Sequence, residues 1–515
     1  MPATGARSLG QIRPETEADR TRAALAAEGL TLPLARGSLQ IEVASGVAAT
    51  TAGQRLVTLL VNILARMKGV VREIHLVSRD AAVLRGTPLR SERLADGLAA
   101  LVASLNSADS EFRASLSFQL AANPDVRIQI GGAPETAEVV AGADAWRALF
   151  GRFAADADWD CSCPVGPALA AVIAAVEAFK RLVAANDTGA HGQLAPPDFA
   201  YSAVNYRTGT HAEAGPDVPA LLLACPAVVG CGAGGSGAVY ITAMHPRLSG
   251  MIALIEPGFH KLSNLNRYLA TTADDVREPR HKLATLVDHL ARFAPALALE
   301  LHARPWEQLD SHPWDTIISA VDTIEARWAI QRRVRDSASI IDLAVDDLLY
   351  AGLRVVPGGR CLFCKHPYDP DLAIKQRALR WGVPLDTVRE WTAAGKVVDP
   401  EMLENLGRTQ GKPPSAFDEL LGQPFTDTPR LIECGSTALR ADVPGQTPIL
   451  PLATSAAAVV GASELIKHAA GMPGLNNWLA HDLRRNPAGP WLKHREPLRG
   501  CPHHGNQDCL PQTAG

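Results

Sequence analysis

Residues 227–240, AVVGCGAGGSGAVY, decide the fold of the second half of this chain. An apolar run (221–229) leads into Gly230, Gly232 and Gly235, which have the spacing G-x-G-x-x-G. In this spacing the first glycine permits a tight turn and the second lets backbone approach a phosphate. The third lets the following helix pack closely on the strand. The stretch predicts a strand, a phosphate-binding loop and a helix, and the alternative is a glycine-rich turn that binds no nucleotide.

The chain beyond this loop continues the order of a doubly wound sheet. Further strands are predicted at 251–256, 297–301, 316–319 and 340–343. Glu256 ends the first of them, 21 residues after Gly235, where a Rossmann-type sheet places an acid against a ribose hydroxyl. Polar and charged side chains follow at Ser263, Asn264 and Arg267, then Lys282 and Asp322.

The first half has the same β–α–β order, with strands at 38–43 and 73–77 around a helix at 52–68. Its loop (44–54) lacks G-x-G-x-x-G, so we expect no nucleotide there. VIAAVEAFK (172–180) resembles VVGASELIK (459–467), and both end in Glu-x-x-Lys. This echo is either a common ion pair in two alanine-rich helices or the trace of an internal duplication. The predicted fold class is α/β, with a Rossmann-like doubly wound sheet in two copies.

Composition bounds the class of protein. The 515 residues are 47% apolar and 20% charged, with a net charge of −4, which argues against an electrostatic mode of nucleic-acid binding. No apolar run reaches the roughly 20 residues of a membrane span, and the N-terminus lacks the apolar region of a secretory signal. Nine cysteines in a chain of this length suggest metal ligands or catalytic thiols. We therefore expect a cytoplasmic enzyme.

Together these parts resemble the E1-like adenylating superfamily, which contains ubiquitin-activating enzymes and the ThiF–MoeB-type activators of sulfur-carrier proteins. The resemblance covers about residues 220–510, and S-N-L-N-R (263–267) is its most specific piece. It implies that ATP phosphates are held by Gly230, Gly232 and Gly235 and the ribose by Glu256. It implies that the triphosphate is gripped by Asn264, Arg267 and Lys282, and that Mg²⁺ is held by Asp322.

Three positions depart from the family pattern. Gly258 stands where a second Asp is usual, the ribose acid Glu256 replaces Asp, and Thr323 follows Asp322 where Asn is common. These departures affect the expected coordination geometry of the bound metal ion.

The cysteines carry two further implications of the resemblance. A tetrahedral Zn²⁺ site would take Cys361 and Cys364 of the C-x-x-C together with Cys501 and His504, with His503 or Cys509 as substitutes. Cys434 occupies the position of the thioester-forming cysteine, and its alternative is a small buried hydrophobe. Cys161 and Cys163 are interpreted as structural.

The resulting function is ATP-dependent activation of a ubiquitin-like or sulfur-carrier protein that ends in Gly-Gly, with Cys434, Arg267 and Lys282 in catalysis and an E2-like protein as a further partner. The domains would be an inactive half (1–185), a linker (186–218), and an adenylation domain (219–515) with a helical insert (365–433) that directly precedes the catalytic cysteine. The halves would form a pseudodimer, or the chain a homodimer, with an arginine lent to ATP by Arg20, Arg22 or Arg207. The alternatives are a Rossmann oxidoreductase using NAD or FAD, and an adenylating enzyme acting on a small molecule or tRNA base.

Overall fold

The computed structural model describes most of the chain from residue 37 onwards. The described residues are 37–68, 70–106, 113–132, 137–184, 194–334, 337–346, 349–356, 359–365, 371–410, 413–427, 451–483, 491–493, 495, 497 and 501. Arg20 and Arg22, two of the arginines proposed to reach ATP, lie outside these residues, as do Cys434, His503, His504 and Cys509.

The first sheet contains strands that alternate apolar and polar residues, as in VREIHLV (71–77) and VRIQI (126–130), and most of their apolar side chains are buried. Its strands are β1 (Gly37–Val43), β2 (Val71–Val77), β3 (Ser115–Ser117), β4 (Val126–Ile130), β5 (Val139–Ala143), β6 (Arg147–Phe150) and β7 (Phe199–Ser202). Its helices are α1 (Thr51–Arg66), α2 (Leu94–Leu105) and α3 (Val165–Ala184). The strand order is β3-β2-β1-β4-β5-β6-β7, and β6 and β7 are antiparallel to their neighbours.

The second sheet begins at the apolar run before the glycine loop. Its strands are β8 (Leu221–Val229), β9 (Leu248–Ile255), β10 (Leu297–His302), β11 (Thr316–Ser319), β12 (Ser339–Asp346), β13 (Leu349–Arg354), β14 (Trp478–Asp482) and β15 (Trp491–Lys493). Its first helices are α4 (Ala233–Ala243), α5 (Ala273–Arg277), α6 (Lys282–Phe293), α7 (Ile324–Arg333) and α8 (Leu362–Lys365). The strand order is β10-β9-β8-β11-β12-β13-β14-β15.

The two sheets have the same topology, with β8 to β14 in the places of β1 to β7. In each sheet five parallel strands are followed by antiparallel neighbours. The prediction of two Rossmann-like copies is therefore confirmed. Helix α3 precedes β7, and the helix α12 (Pro451–Ala469) likewise precedes β14.

The echoed Glu-x-x-Lys segments lie in these two equivalent helices and make equivalent contacts. Lys180 Nζ is 2.8 Å from Glu177 Oε1, and Lys467 Nζ is 2.8 Å from Glu464 Oε1. The other oxygen of each glutamate accepts a backbone N–H from beyond its helix, from Ala195 at 3.0 Å and from Leu475 at 2.7 Å. Because both carboxylates are almost completely buried, the pair and the backbone donor together satisfy them. This match favours duplication over coincidence.

The predicted linker needs correction. Within 186–218, residues Phe199–Ser202 form β7 and pair antiparallel with β6, so the first sheet extends beyond residue 185. A strand this short (FAYS) gives a weak sequence signal, and pairing with β6 decides its conformation.

One hydrophobic core joins the halves, and α12 contributes much of it, since it packs against α4 and α3. The remaining helices α9 (Leu372–Trp381), α10 (Leu385–Ala393) and α11 (Pro400–Gln410) lie between β13 and α12 in the chain. They surround a separate core that includes Trp381, Val388, Leu406 and Phe425. Within the described ranges, no helix has both the length and the apolar composition that crossing a membrane requires.

Candidate functional site

Each of the three glycines in the loop suits its position for a different physical reason. Gly230 has φ +84°, a conformation that L side chains rarely adopt. At Gly232 an added Cβ would meet nothing closer than Tyr268 Oη at 3.6 Å, so the backbone faces open space. At Gly235 it would lie 2.2 Å from the Gly230 carbonyl oxygen, so only glycine lets α4 pack there. These are the roles that the spacing predicts.

The N-termini of α4 and its counterpart α1 differ in what they offer an anion. In α1, Thr50 Oγ1 accepts the Gly53 N–H at 3.2 Å, and the Trp159 carbonyl accepts the Ala52 N–H at 3.0 Å. In α4 the N-cap is Gly232, which has no side chain to accept such a bond. The N–H groups of α4 and its positive dipole end are thus available to a ligand, whereas those of α1 are engaged within the protein.

Seven of the eight residues predicted for the nucleotide line one cavity of about 660 Å³. They are Gly230, Gly232, Glu256, Asn264, Arg267, Lys282 and Asp322. Gly235 does not line it, in keeping with its packing role. The cavity lies where the carboxyl ends of β8, β9 and β11 meet, the usual position for a ligand in an open α/β sheet.

Lys282 and Glu256 form an ion pair in the wall of this cavity, with Nζ 3.2 Å from Oε1. Glu256 Oε1 also accepts the Gly258 N–H at 2.8 Å. Burial disfavours the charged ammonium, but Tyr268 and Glu256 outweigh burial, so the pKa of Lys282 lies above its ordinary value. A Cβ at position 258 would lie 2.6 Å from Glu256 Oε1, so the glycine at this departure from the family pattern makes room for the pair.

The S-N-L-N-R segment forms a tight turn followed by irregular backbone. Asn264 Oδ1 accepts the Lys261 N–H at 2.8 Å and so closes the turn. Arg267 is buried, and its guanidinium lies 5.6 Å from the centre of the Tyr268 ring and donates to Asn266 Oδ1 at 3.0 Å. The turn and the aromatic ring hold the arginine at the cavity.

Asp322 is exposed at the rim of the cavity, directly before α7. Thr323, the third departure from the family pattern, is the N-cap of α7, and its Oγ1 accepts the Ala326 N–H at 3.2 Å. Thr323 therefore caps the N-terminus of α7 in this chain.

A buried charge cluster beside the cavity was missed by sequence reasoning. Asp342 is fully buried in β12, where its carboxylate accepts bonds from Arg327 Nε at 3.0 Å, Lys365 Nζ at 2.6 Å and Ser319 Oγ at 2.7 Å. Burial alone would raise the pKa of Asp342, but Arg327 and Lys365 outweigh it and lower the pKa to about 2. Arg327 also lines the cavity. The signal that could have found the cluster is an aspartate inside the apolar strand IIDLAV.

Three of the four predicted zinc ligands converge. The sulfur atoms of Cys361, Cys364 and Cys501 all lie within 4.8 Å of one another, and all three residues are buried. Cys361 Sγ is 3.8 Å from Cys364 Sγ and 3.5 Å from Cys501 Sγ. Three convergent thiols fit three corners of a tetrahedral Zn²⁺ site, with one position open for a fourth ligand.

Other candidate residues do not join the site. Arg207 is exposed and does not line the cavity. Cys161 and Cys163 are buried, and burial raises the pKa of the Cys163 thiol to about 12, which agrees with a structural role.

Comparison with known proteins shows the family. The ThiF family matches residues 220–490, just over half of the chain, and the chain belongs to this family. The uncharacterized protein y4jF of Sinorhizobium fredii (strain NBRC 101917 / NGR234) is 26% identical over 347 residues, which are 64% of this chain and 65% of that protein. The chain thus spans slightly less than two thirds of this curated relative.

Solved structures with similar folds include E. coli MccB with selenomethionine MccA, at 14% identity and a TM-score of 0.36, covering 55% of this chain and 67% of that chain. E. coli MccB with ATP has 14% identity and a TM-score of 0.35 over the same shares. Selenomethionine PaaA has 16% identity and a TM-score of 0.30, covering 50% of this chain and 69% of that chain.

Proposed function

We propose that this protein adenylates the C-terminal carboxylate of a ubiquitin-like or sulfur-carrier protein that ends in Gly-Gly, at the expense of ATP. The observation that supports the proposal is that a helix N-terminus, Arg267, Lys282 and Asp322 border one cavity. Arg267, Lys282 and the N-terminus of α4 would bind the negative charges of a polyphosphate. The Asp322 carboxylate at the rim would bind the metal ion that accompanies the polyphosphate. The ThiF family membership points the same way.

In the adenylation step a carboxylate oxygen of the carrier attacks the α-phosphorus of ATP. A bond forms between that oxygen and the phosphorus, the bond to the β-phosphate oxygen breaks, and pyrophosphate leaves. Negative charge grows on the phosphate oxygens, and Arg267, Lys282 and the N–H groups of α4 stabilise it. Mg²⁺, held by Asp322, would neutralise further charge on the phosphates. Glu256 would bind the ribose through the carboxylate that Gly258 and Lys282 orient.

We assign the second step, thioester formation, to Cys434 on the resemblance alone, because this residue lies outside the described part of the chain. Its thiolate would attack the acyl carbon of the adenylate and release AMP, and an E2-like protein could then accept the acyl group. In the same proposal residues 219–515 form the adenylation domain in the cytoplasm, with a catalytic-cysteine segment after helices α9 to α11. Cys361, Cys364, Cys501 and His504 would hold a structural Zn²⁺, which would lend the domain folding energy.

The test is exchange of labelled pyrophosphate into ATP in the presence of Gly-Gly-ended carriers. We expect exchange with the correct carrier and none for Arg267→Ala, whose melting temperature should stay near that of the wild type. Exchange that is absent with every carrier, together with tight NAD binding, would support an oxidoreductase instead. Exchange that depends on a small molecule or a tRNA would keep the adenylation and replace the substrate.

A further inference from the structure

One arginine of the first half is buried against the second half. Arg66, in the last turn of α1, is 1% exposed. Its guanidinium donates to the backbone carbonyls of Leu265 at 2.6 Å, Leu269 at 2.9 Å and Thr271 at 2.9 Å. Leu265 is the leucine of the S-N-L-N-R segment, and Leu269 and Thr271 follow that segment in the chain.

Asn62, one helical turn earlier, holds the guanidinium in place. Its Oδ1 accepts from Arg66 Nε at 2.8 Å, and its Nδ2 donates to the Leu269 carbonyl at 3.0 Å and to Tyr240 Oη at 3.2 Å. Both side chains are buried, and Tyr240 belongs to α4, the helix that begins at the glycine loop. The end of α1 therefore contacts both polypeptide segments that carry the phosphate-binding groups.

The backbone of residues 265–271 is mostly irregular, so its carbonyl groups cannot all bond within a helix or a strand. A buried carbonyl without a partner is costly. The planar guanidinium has five N–H donors in a rigid fork and can satisfy several carbonyls at once in one geometry. Arg267 and Tyr268, which line the cavity, lie between the carbonyls that Arg66 holds.

We propose that Arg66 is a positioning residue through which the first half sets the place of Arg267 and thereby the affinity of the second half for a nucleoside triphosphate. The proposal rests on the proposed function for its ligand. Arg66 is not among the residues that line the cavity. Its effect passes through the carbonyls on both sides of Arg267, so the half without a glycine loop becomes part of the binding site of the other half.

Helix α1 supplies a matched control. Arg55, three turns earlier in α1, is also fully buried, and its Nη1 donates to the carbonyls of Cys161 at 3.2 Å and Ser162 at 2.8 Å. Both of those acceptors lie in the first half. Arg55→Lys and Arg66→Lys thus make the same chemical change at equally buried positions, and only the second change affects carbonyls next to the cavity.

The experiment uses the full chain and measures ATP binding by calorimetry, thermal melting without nucleotide, and hydrogen exchange of the amides in 265–271. We expect Arg66→Lys to weaken ATP binding by at least about tenfold, the loss of roughly one charge-assisted contact, and to speed exchange in 265–271. Arg55→Lys should lower the melting temperature to a similar extent, yet keep ATP affinity within about twofold and leave that exchange unchanged. Arg66→Met should bind ATP more weakly than Arg66→Lys, which keeps the charge.

Equal ATP affinities for the two lysine variants would overturn the proposal, as would unchanged exchange in 265–271 for Arg66→Lys. If the wild type binds no ATP, the proposed function is wrong. The hydrogen-exchange comparison then still decides whether Arg66 holds the segment. If Arg66→Met does not fold, the comparison of Arg66→Lys with Arg55→Lys is sufficient to test the proposal.

Discussion

Lys282 Nζ lies 3.2 Å from Glu256 Oε1, and the two side chains are only 17% and 7% exposed. An ion pair with so little solvent around it is screened far less than a surface pair. It holds the ammonium ready at the wall of the cavity, and Lys282 in turn orients the carboxylate proposed to bind the ribose.

Replacing Lys282 tests this pair directly. Lys282→Ala removes a cation from the cavity and leaves the buried Glu256 carboxylate without its ammonium, so we expect pyrophosphate exchange to fall by at least about tenfold. Lys261→Ala is the control, because this exposed lysine lies on the same cavity and its charge is screened by solvent. If pyrophosphate exchange fell to a similar extent in both variants, the ion pair between Lys282 and Glu256 would have no specific role in the reaction.

Gly258→Ala tests the space beside the pair. The new Cβ would lie 2.6 Å from Glu256 Oε1 and 3.0 Å from Lys282 Nζ, so these two flexible side chains must move while the backbone can stay. We expect weaker ATP binding with a melting temperature near that of the wild type, measured by calorimetry and thermal melting. Wild-type affinity in this variant would mean that the geometry of the pair does not matter for ATP.

Metal analysis tests the cysteine cluster. The purified protein should contain about one zinc per chain, as expected for one four-ligand site. Cys361→Ser and Cys501→Ser should lower zinc content and melting temperature together, because structural zinc binding is coupled to folding. Cys225→Ser, outside the cluster, should change neither the zinc content nor its response to a chelator. Stoichiometric zinc in both cluster variants would contradict the assignment of Cys361 and Cys501 as zinc ligands.

Cys434→Ala separates thioester formation from adenylation. Adenylation uses the nucleotide cavity, whereas acyl transfer needs a thiolate. The variant should keep pyrophosphate exchange and lose the reducible adduct with the carrier on non-reducing gels. An adduct that persists in Cys434→Ala would place the nucleophile at another cysteine.

The buried His289 predicts loss of stability in acid. Burial, helped by Arg90 and Arg292, lowers the pKa of His289 to about 3, so the folded protein keeps this imidazole neutral while the unfolded chain protonates it near 6.5. The unfolded state therefore binds the extra proton, and the free energy of unfolding should fall by about 1.4 kcal/mol per pH unit from this group between pH 6 and 4. His289→Phe keeps an aromatic ring stacked near Tyr240 and Phe293. Denaturant unfolding at several pH values should show a shallower acid dependence for this variant, and an unchanged slope would contradict the interpretation.

Much of the second half was predictable because its signals are local. The spacing of Gly230, Gly232 and Gly235 predicts where the chain turns, where its backbone is open to a ligand and where the helix packs. Each of these three requirements involves only neighbouring backbone. The apolar runs of β8, β9 and β11 ended where the structure ends those strands to within a few residues. Glu256 could be placed near the loop from its spacing after Gly235, whereas Asp322 was assigned to the site on the resemblance to the adenylating superfamily.

The repeated Glu-x-x-Lys was a weak signal on its own, since such pairs occur on many helices. The shared strand order of the two sheets turned it into a duplication, because the equivalent glutamates Glu177 and Glu464 also accept equivalent backbone donors. A short strand such as β7 escaped prediction because its conformation depends on pairing with β6.

By itself the sequence determined the α/β class, the strand–glycine loop–helix unit and the residue types that surround it, since these follow from periodicity and short spacing. Only the tertiary structure decided that Asp342 gathers Arg327 and Lys365 beside the cavity, and that Arg66 holds the backbone around Arg267. Those contacts join residues far apart in the chain. Which distant groups meet depends on how helices and sheets pack, and a buried charge finds its partner only in the assembled core.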